Sequence, residues 1–173
     1  MSGLSNKLYY FAYGSNINSE RLKLSITTAN FVDIGYVKNY KLDFALHSKR
    51  WKGACATIVP SPNDIVWGVI WLIENEDKSK LDIQENINEG VYDILDIECD
   101  SKSGDKKYCC FAYVLKLKDE CKTPSKLYKN VIINGAKEHK FPEYYIAFLN
   151  DLEDNGYEEN FEYFKEKICL FKI

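Results

Sequence analysis

The sequence predicts an α+β domain built on an antiparallel or mixed β-sheet, and two observations support this prediction. Segments rich in aromatic and β-branched residues, which are typical of strands, dominate the first two thirds of the chain, with one helical segment between them. The last third is helical in pattern, and strands followed by helices are typical of the α+β class. Because no repeat and no Pro/Gly/Ser-rich linker interrupts the 173 residues, we expect one domain over residues 1–173.

The first predicted strand covers Leu8–Tyr13, an aromatic-rich run that stops at Gly14-Ser15-Asn16. Glycine, serine and asparagine favour a tight loop at this point. A short helix should follow, because Asn18 or Ser19 is a favourable N-cap and Glu20 would lie near the positive end of the helix.

Further strands are predicted in the middle of the chain. Phe31–His47 and Ala54–Val59 have strand patterns around polar turns, and the proline-containing segment 60–64 predicts a loop. Ile65–Ile73 is apolar on both faces, which predicts a central strand. Gly68 within this segment indicates a bulge or a close approach of another backbone.

A helix and a strand pair are predicted next. The helix covers Asn75–Asn86, and acidic residues near its start suit its positive end. Val91–Cys99 and Lys107–Lys118 are predicted to pair as neighbouring strands. The loop Asp100–Asp105 joins them, with its turn at Ser103-Gly104.

Three helices are predicted in the last third of the chain. Thr123-Pro124 has the pattern of a cap followed by proline at the first helical position, which starts a helix over Ser125–Gly135 and beyond. A second helix covers Phe141–Glu153, and a third covers Glu158–Lys167. The remaining apolar tail, Ile168–Ile173, should pack against the rest of the domain.

Charge and hydropathy argue against binding to nucleic acids or membranes. The formal net charge is −3 and the pI is about 5.5, so the chain lacks the basic surface that nucleic acids and anionic membranes attract. We predict that the basic cluster Lys49-Arg50-Trp51-Lys52 is a solvated loop. The longest apolar run, Ile65–Ile73, is too short to span a bilayer, and Met1–Lys7 does not resemble a signal peptide. A cytoplasmic protein is therefore expected.

The cysteines and histidines indicate neither disulfides nor a metal site. A reducing compartment predicts free thiols, and Cys109 and Cys110 should point to opposite faces of one strand. His47 and His139 lack the spacing of metal ligands, and the phosphate-binding, dinucleotide-binding and G-x-S-x-G motifs are absent from the sequence. We therefore expect no metal and no cofactor, and a Ser-His or Cys-His mechanism has no support. The six cysteines are Cys55, Cys99, Cys109, Cys110, Cys121 and Cys169.

Two features remain as candidates for a functional site. The loop that ends the first strand, Tyr10–Asn16, is either an ordinary turn or a loop whose N–H groups face a ligand, which Gly14 would allow to approach closely. Glu85, near the end of the helix after the central strand, is either a solvated acid or a proton-transfer group. The negative end of the helix dipole would raise the pKa of Glu85, and a raised pKa suits proton transfer.

Together with the blocks around them, these features resemble the γ-glutamylcyclotransferase family, in particular its γ-glutamyl dipeptide type. The resemblance is clearest over residues 8–150, and the ordered blocks are far more specific than the Tyr-Gly-Ser-Asn string alone. The matching blocks are Tyr13-Gly14-Ser15-Asn16, Ser19-Glu20-Arg21, Lys41-Leu42-Asp43-Phe44, Ala56-Thr57-Ile58, Ser61-Pro62, Asp64, Val66-Trp67-Gly68-Val69, Trp71, Leu81-Asp82, Gln84-Glu85, Gly90, Tyr92, Tyr113, Tyr128-Lys129, Gly135-Ala136-Lys137-Glu138 and Pro142.

The resemblance implies a small, mixed or antiparallel, β-barrel-like sheet flanked by helices, and it implies the site residues. Glu85 would be catalytic, and the loop would bind the γ-glutamyl group in a pocket lined by tyrosines. The implied binding residues are Tyr10, Phe11, Ala12, Tyr13, Gly14, Ser15, Asn16, Tyr113 and Tyr128. The chain has Asn86 where glycine is usual after the catalytic glutamate, and Ile17 where leucine is common. Asparagine tolerates left-handed backbone angles, so the turn should survive.

The reaction implied by the resemblance is the intramolecular cyclisation of a γ-glutamyl compound to 5-oxoproline with release of a free amine. It needs no cofactor and a small-molecule substrate only, and a homodimer is the family's expected assembly. Glu85 would act as general acid and base, while N–H groups around Gly14–Asn16 would stabilise the oxyanion and could hold the α-carboxylate. The alternatives are a cyclotransferase acting on glutathione or γ-glutamylamines, and a non-catalytic binding protein on the same scaffold.

Overall fold

The computed structural model describes residues 7–170, with side chains described as far as Glu166. Five strands form a closed barrel in the order β1-β3-β2-β4-β5, and helices flank it. This mixed barrel confirms the predicted fold class. The elements are β1 (Lys7–Ala12), α1 (Ser19–Lys23), β2 (Asn30–Ser48), β3 (Gly53–Glu74), α2 (Asn75–Gln84), β4 (Tyr92–Ser101), β5 (Lys107–Leu115), α3 (Lys126–Glu138), α4 (Glu143–Asp151) and α5 (Phe161–Leu170), with single 3-10 turns at Ser15–Ile17 and Ile87–Glu89.

The barrel is closed by one parallel contact. β1 pairs with β3 antiparallel along its whole length, and β2 pairs antiparallel with β3 and β4. β4 and β5 form the predicted antiparallel pair, from Tyr92 opposite Leu115 to Asp100 opposite Lys107. β1 then meets β5 in parallel, at Tyr10 opposite Phe111. The first strand of the chain and the last strand of the sheet thus complete the wall together.

The long hairpin of β2 and β3 corrects the prediction that a loop interrupts the strand at residues 60–64. β3 continues through this segment, and its register with β2 shifts between the pairs Tyr40–Pro60 and Lys38–Ile65. The intervening residues form a bulge in which the N–H of Asn63 donates to the side-chain oxygen of Asn39, at 3.2 Å. Both asparagines have positive φ, which this residue type tolerates, so the chain turns locally and the ladder resumes.

The central position of Ile65–Ile73 is confirmed, since this part of β3 pairs with β1 on one side and β2 on the other. Gly68 of β3 lies where the backbone of β1 comes very close to that of β3. A Cβ atom there would be 2.5 Å from the carbonyl oxygen of Ala12 and 2.5 Å from the ring of Phe11. The predicted close backbone approach is therefore present, and it brings the end of β1 tightly against the central strand.

Several helix boundaries differ from the prediction. α2 ends at Gln84 rather than Asn86, α4 covers Glu143–Asp151 rather than Phe141–Glu153, and α5 begins at Phe161 rather than Glu158. Ser125, rather than Thr123-Pro124, caps α3, because its side-chain oxygen accepts a hydrogen bond from the N–H of Tyr128 at 3.1 Å. The carbonyl of Thr123 instead accepts from the N–H of Ala54 at 2.9 Å, which ties this segment to the start of β3. The Asn18 cap of α1 is confirmed, with its side chain accepting from the N–H of Arg21.

Two further predictions concern the barrel wall and the end of the chain. Cys109 is exposed and Cys110 is buried, so the adjacent thiols do lie on opposite faces of β5. The predicted packing of the Ile168–Ile173 side chains lies outside the described residues. From residue 7 to residue 170, no helix has the length and apolar character needed to cross a membrane.

Candidate active site

A cavity of about 930 Å³ occupies one end of the barrel, where β1, β2 and β5 end and β3 and β4 begin. It is lined by the loop after β1, by tyrosines from β4, β5 and α3, and by Glu85 at the end of α2. Its rim includes the β2–β3 turn. Tyr10 and Glu85 are 75 residues apart in the chain, and no sequence pattern connects them. The two candidate features predicted from the sequence therefore meet in one cavity.

The loop after β1 is held rigidly by the neighbouring elements. The Asn16 side-chain N–H donates to the Tyr10 hydroxyl at 3.0 Å, and the Asn16 carbonyl accepts from the indole N–H of Trp71 at 3.1 Å. On the opposite side, Gly135 of α3 lies so close that a Cβ there would be 2.6 Å from the backbone nitrogen of Asn18. The loop is thus fixed between β3 and α3 before any ligand binds.

Gly14 lies in a confined position against the cavity wall. A Cβ atom there would be 3.1 Å from the Tyr128 hydroxyl and 3.3 Å from the Cβ of Ala56, tighter than ordinary van der Waals contact. The Tyr128 hydroxyl also accepts a hydrogen bond from the N–H of Ala56 at 3.2 Å. Glycine at position 14 therefore lets the loop backbone approach Tyr128 closely.

The structure brings most of the predicted binding residues together, but not all of them. Those that line the cavity are Tyr10, Tyr13, Gly14, Ser15, Asn16, Tyr113 and Tyr128. Phe11 and Ala12 lie outside it. Phe11 is fully buried against Gly68 and the ring of Tyr13, because neighbouring residues of β1 point to opposite faces, and Ala12 is buried in the wall. Their side chains do not reach a ligand in the cavity.

Glu85 terminates α2 and begins the turn that leads to β4. Its N–H donates to the carbonyl of Leu81 at 2.8 Å, so the backbone of Glu85 is still held by the helix, and Leu81 is fully buried. Asn86 adopts left-handed angles, with φ of 50° and ψ of 46°. The expectation that asparagine preserves this turn is confirmed.

Burial is the largest cause of the raised pKa of the Glu85 carboxyl. The side chain lies in the cavity wall and accepts a hydrogen bond from the Gln84 amide at 2.8 Å, which opposes the rise, as do the charges of Arg21 and Arg50. The direction agrees with the sequence analysis, but the cause is different, since loss of water rather than the helix terminus dominates. A carboxyl group with a raised pKa is suited to proton transfer near neutral pH.

Tyrosine hydroxyls surround Glu85. Burial raises the pKa of each, and the negative charge of Glu85 raises it further, so these hydroxyls remain protonated and able to donate hydrogen bonds. Tyr92, which the sequence analysis gave no role, joins the predicted residues here. The tyrosines are Tyr10, Tyr13, Tyr92, Tyr113 and Tyr128.

Asp82, one turn before Glu85, positions one of these tyrosines. The Tyr113 hydroxyl donates to an Asp82 carboxylate oxygen at 2.6 Å, and Lys78 pairs with the same carboxylate at 2.8 Å. The Tyr13 hydroxyl donates to the Tyr113 carbonyl, which links the end of β1 to β5. Asp82 is therefore attached to the cavity wall through Tyr113 rather than being an isolated surface carboxylate.

The prediction of a solvated loop at Lys49-Arg50-Trp51-Lys52 was wrong for Trp51, whereas the other three residues are exposed. The Ser48 side chain accepts from the N–H of Trp51, which closes a tight turn over the cavity. Trp51 is only 5% exposed and its ring lies 4.7 Å from that of Tyr128, while Arg50 lines the cavity. From the sequence alone, a turn with one buried aromatic residue among exposed cations cannot be distinguished from a fully solvated loop.

Arg21 was also missed as a site residue. It belongs to the Ser19-Glu20-Arg21 block, but a single arginine in a short helix gives no sign that it is buried. In the structure it is 2% exposed, lines the cavity, and has its guanidinium carbon 5.8 Å from the centre of the Trp51 ring. In residues 7–166, no cluster of three or more histidine, cysteine or acidic side chains is arranged to hold a metal ion.

Comparisons with known proteins identify the family of this chain. Residues 65–149 match a family model described as the AIG2-like family. A γ-glutamylcyclotransferase from Mus musculus is 40% identical over 152 residues, covering 86% of this chain and 80% of the mouse protein, and the enzyme of that name from Homo sapiens is 37% identical over the same coverage. A solved structure of a γ-glutamyl cyclotransferase superimposes with a TM-score of 0.86 at 33% identity, covering 95% of this chain and 99% of that one. The chain belongs to the γ-glutamylcyclotransferase family.

Proposed function

We propose that this protein converts γ-glutamyl compounds, with an amino acid as the preferred leaving group, into 5-oxoproline and the free amine. The observation that most directly supports this function is Glu85. It is a carboxyl group with a raised pKa in a cavity that also contains protonated tyrosines and a rigid loop. The γ-glutamylcyclotransferase names of the relatives support the same reaction.

In the proposed reaction, the α-amino nitrogen of the substrate attacks its own γ-carbonyl carbon. A C–N bond closes the five-membered lactam, and the bond from the same carbon to the leaving nitrogen breaks. Because both reacting groups belong to one molecule, the protein must select the folded conformer and manage protons and charge. Glu85 takes a proton from the α-ammonium group, so that the free amine can attack, and returns a proton to the leaving nitrogen.

The oxyanion formed on the γ-carbonyl oxygen requires hydrogen-bond donors. The first N–H groups of a helical turn have no acceptor within the turn, and the loop begins such a turn at Ser15. We assign oxyanion stabilisation to backbone N–H groups of Gly14–Asn16, because the contacts with Trp71 and Gly135 hold this backbone in place before the charge develops.

The charges that line the cavity favour an amino-acid leaving group. Four cationic side chains line it, but Glu85 is the only carboxylate among the described lining residues. A γ-glutamyl dipeptide carries two carboxylates, one of which leaves with the amine, whereas a simple γ-glutamylamine carries only one. Lys80 pairs with Asp77, whereas Lys49 and Arg50 are exposed at the rim and are placed to attract the carboxylate of the leaving amino acid.

Release of 5-oxoproline from a panel of substrates tests this proposal. We expect γ-glutamyl-alanine to have a higher kcat/KM than glutathione and ε-(γ-glutamyl)-lysine, because its leaving carboxylate lies nearest the rim cations. γ-Glutamyl-alaninamide, which differs only in that carboxylate, is the matched control and should react at least about tenfold more slowly. A higher kcat/KM for glutathione would contradict the substrate preference. Binding without release of 5-oxoproline from any substrate would favour a non-catalytic role.

A further inference from the structure

Arg21 differs from the other buried charged side chains of the described chain in that its guanidinium has no ion-pair or hydrogen-bond partner. Asp77 pairs with Lys80 and accepts a hydrogen bond from Thr28, and Asp100 pairs with Lys38 at 3.0 Å. None of the ion pairs in residues 7–166 includes Arg21, and its buried Nε and Nη1 atoms have no hydrogen-bond partner. A buried cation in this state costs free energy, which an anionic ligand would offset.

The position of Arg21 is fixed by the same elements that hold the loop. Its backbone N–H donates to the Asn18 cap at 2.9 Å, and α1 follows the 3-10 turn of the loop directly. The Trp51 ring covers the guanidinium on one side. A buried side chain that is held in the cavity lining without a counter-ion is pre-organised for an ion that arrives with the substrate.

Arg21 and Glu85 line the same cavity. Burial lowers the pKa of Arg21, and the Glu85 charge is the largest influence in the opposite direction, so the two groups face the same interior. Arginine remains protonated in proteins, and its planar fork matches the two oxygens of a carboxylate. The cavity lining therefore includes one buried cationic group and one anionic group.

We propose that Arg21 binds the α-carboxylate of the γ-glutamyl group. This inference rests on the proposed function, in which Glu85 receives a proton from the α-ammonium group. The ammonium and carboxylate of an α-amino acid are carried by the same carbon, so a site that places Glu85 at the ammonium needs a cation beside it for the carboxylate. The other lining cations lie in exposed positions at the rim, where the leaving group is released. Arg21 thereby selects glutamyl compounds with a free α-carboxylate.

The test compares two ligands that lack a leaving group, 5-oxoproline and 5-oxoprolinamide, which differ only in the carboxylate. Their dissociation constants are measured for the wild-type protein by calorimetry or by competition with turnover. We expect 5-oxoproline to bind roughly 10- to 100-fold more tightly than the amide, the range of a charged hydrogen-bonded contact. Equal affinity of the wild-type protein for the two ligands would overturn the proposal without any variant.

Variants then assign the discrimination to Arg21. Arg21→Gln should weaken 5-oxoproline binding by about 10- to 100-fold and leave the amide unaffected, so that the affinity ratio approaches one. Arg21→Lys keeps the positive charge but lacks the planar guanidinium, so it should retain part of the affinity ratio between 5-oxoproline and the amide. It also provides a folded variant if Arg21→Gln does not fold. Lys23→Gln removes a charge from an exposed position of the same helix and should keep the full ratio.

A folded Arg21→Gln or Arg21→Lys protein with the wild-type ratio would disprove the assignment. Failure of the proposed function appears differently, as a wild-type protein that releases no 5-oxoproline.

Discussion

At the scale of single residues, the environment of Glu85 combines two opposing requirements. The carboxyl must lose its proton to act as a base, yet burial in the cavity favours the protonated form. The Gln84 hydrogen bond and the charges of Arg21 and Arg50 limit the rise in its pKa. The group is thus adjusted toward the pH at which one carboxyl can both accept and return a proton.

Glu85→Gln tests this role directly. Glutamine is nearly isosteric but cannot exchange protons near neutral pH, so kcat should fall by about 10²- to 10⁴-fold. Binding of 5-oxoproline should persist, because the loop and Arg21 are unchanged. Glu76→Gln, an exposed carboxylate in the first turn of α2, is the matched control and should retain wild-type turnover. More than about a tenth of wild-type activity in a folded Glu85→Gln protein would remove Glu85 from its role.

The pH dependence gives a second measure of the same group. A raised pKa places the acidic limb of kcat/KM above the ordinary value for glutamate, about 4.3. The folded state also holds this proton more tightly than the unfolded state. The resulting stability is therefore complete below the unfolded pKa and is lost as pH rises through the folded pKa. In urea unfolding at neutral pH, the free energy of unfolding of Glu85→Gln should be at least that of wild type. The difference between variant and wild type should shift in favour of the variant when the pH is raised from acidic to neutral. A limb below the ordinary glutamate value would contradict this account.

Residues of the site differ in how far the sequence predicts them. Glu85, the glycine and polar residues of the loop, Tyr113 and Tyr128 were identified through the resemblance, and all line the cavity. Arg21 and Arg50 were not, because whether a cation lines a cavity depends on which elements fold around it. Trp51 and Arg50 lie in a turn whose composition is typical of solvated loops. The position of these residues in the cavity lining became visible only from the tertiary structure.

At the scale of elements, the close contact between α3 and the loop controls the geometry of the site. Gly135 allows the helix to lie against Ile17 and Asn18, with a Cβ position 2.6 Å from the Asn18 nitrogen and 2.8 Å from the Ile17 carbonyl carbon. Both are backbone atoms of the turn whose N–H groups are proposed to stabilise the oxyanion. Any displacement of α3 is therefore transmitted to the loop.

Gly135→Ala should lower both stability and substrate affinity. In an open helix the change favours folding by about 1 kcal/mol, so a net loss would identify the clash as its cause. We expect a loss of roughly 1–3 kcal/mol in the free energy of unfolding and an increase in KM. Asn134→Ala, an exposed position of the same helix, is the control and should be neutral or slightly stabilising. Denaturant unfolding and steady-state kinetics measure the two effects. A Gly135→Ala protein more stable than wild type with unchanged KM would show that α3 does not constrain the loop.

Element order was largely predictable, while the limits of the strands were not. Periodicity identified the helices and the strand pair of β4 and β5, because each has a regular pattern and a recognisable turn. The segment 60–64 has the composition of a loop, yet two asparagines with positive φ absorb the turn as a bulge and β3 continues. Thr123-Pro124 likewise has the pattern of a cap, but a backbone contact with Ala54 places the helix start at Ser125. Long-range pairing decided both cases.

At the scale of the whole molecule, the barrel wall separates thiols with different reactivity. Cys109 is exposed on the outer face of β5, whereas Cys55 lines the cavity, where burial raises the pKa of its thiol to about 11. A thiol reacts as its thiolate, so Cys55 should react slowly at neutral pH.

Alkylation with iodoacetamide at neutral pH should therefore modify Cys109 well before Cys55, with activity retained while only Cys109 is labelled. At higher pH, labelling of Cys55 should remove activity, because the adduct occupies the cavity. Peptide mapping identifies the modified thiol, and Cys109→Ser, which should be fully active, serves as the control. Inactivation in proportion to Cys109 labelling would contradict this separation of the two faces.

Closure of the barrel by β1 and β5 has a consequence for the order of events during folding. The Tyr13 hydroxyl and the Tyr113 carbonyl that meet in the cavity wall are 100 residues apart, and such distant contacts form slowly because a long segment must first be ordered. During synthesis, β1 emerges early but cannot complete its pairing until β5 has left the ribosome. The cavity is therefore assembled only when barrel closure is complete, and a chain that ends before β5 has the loop and Glu85 but no enclosed site.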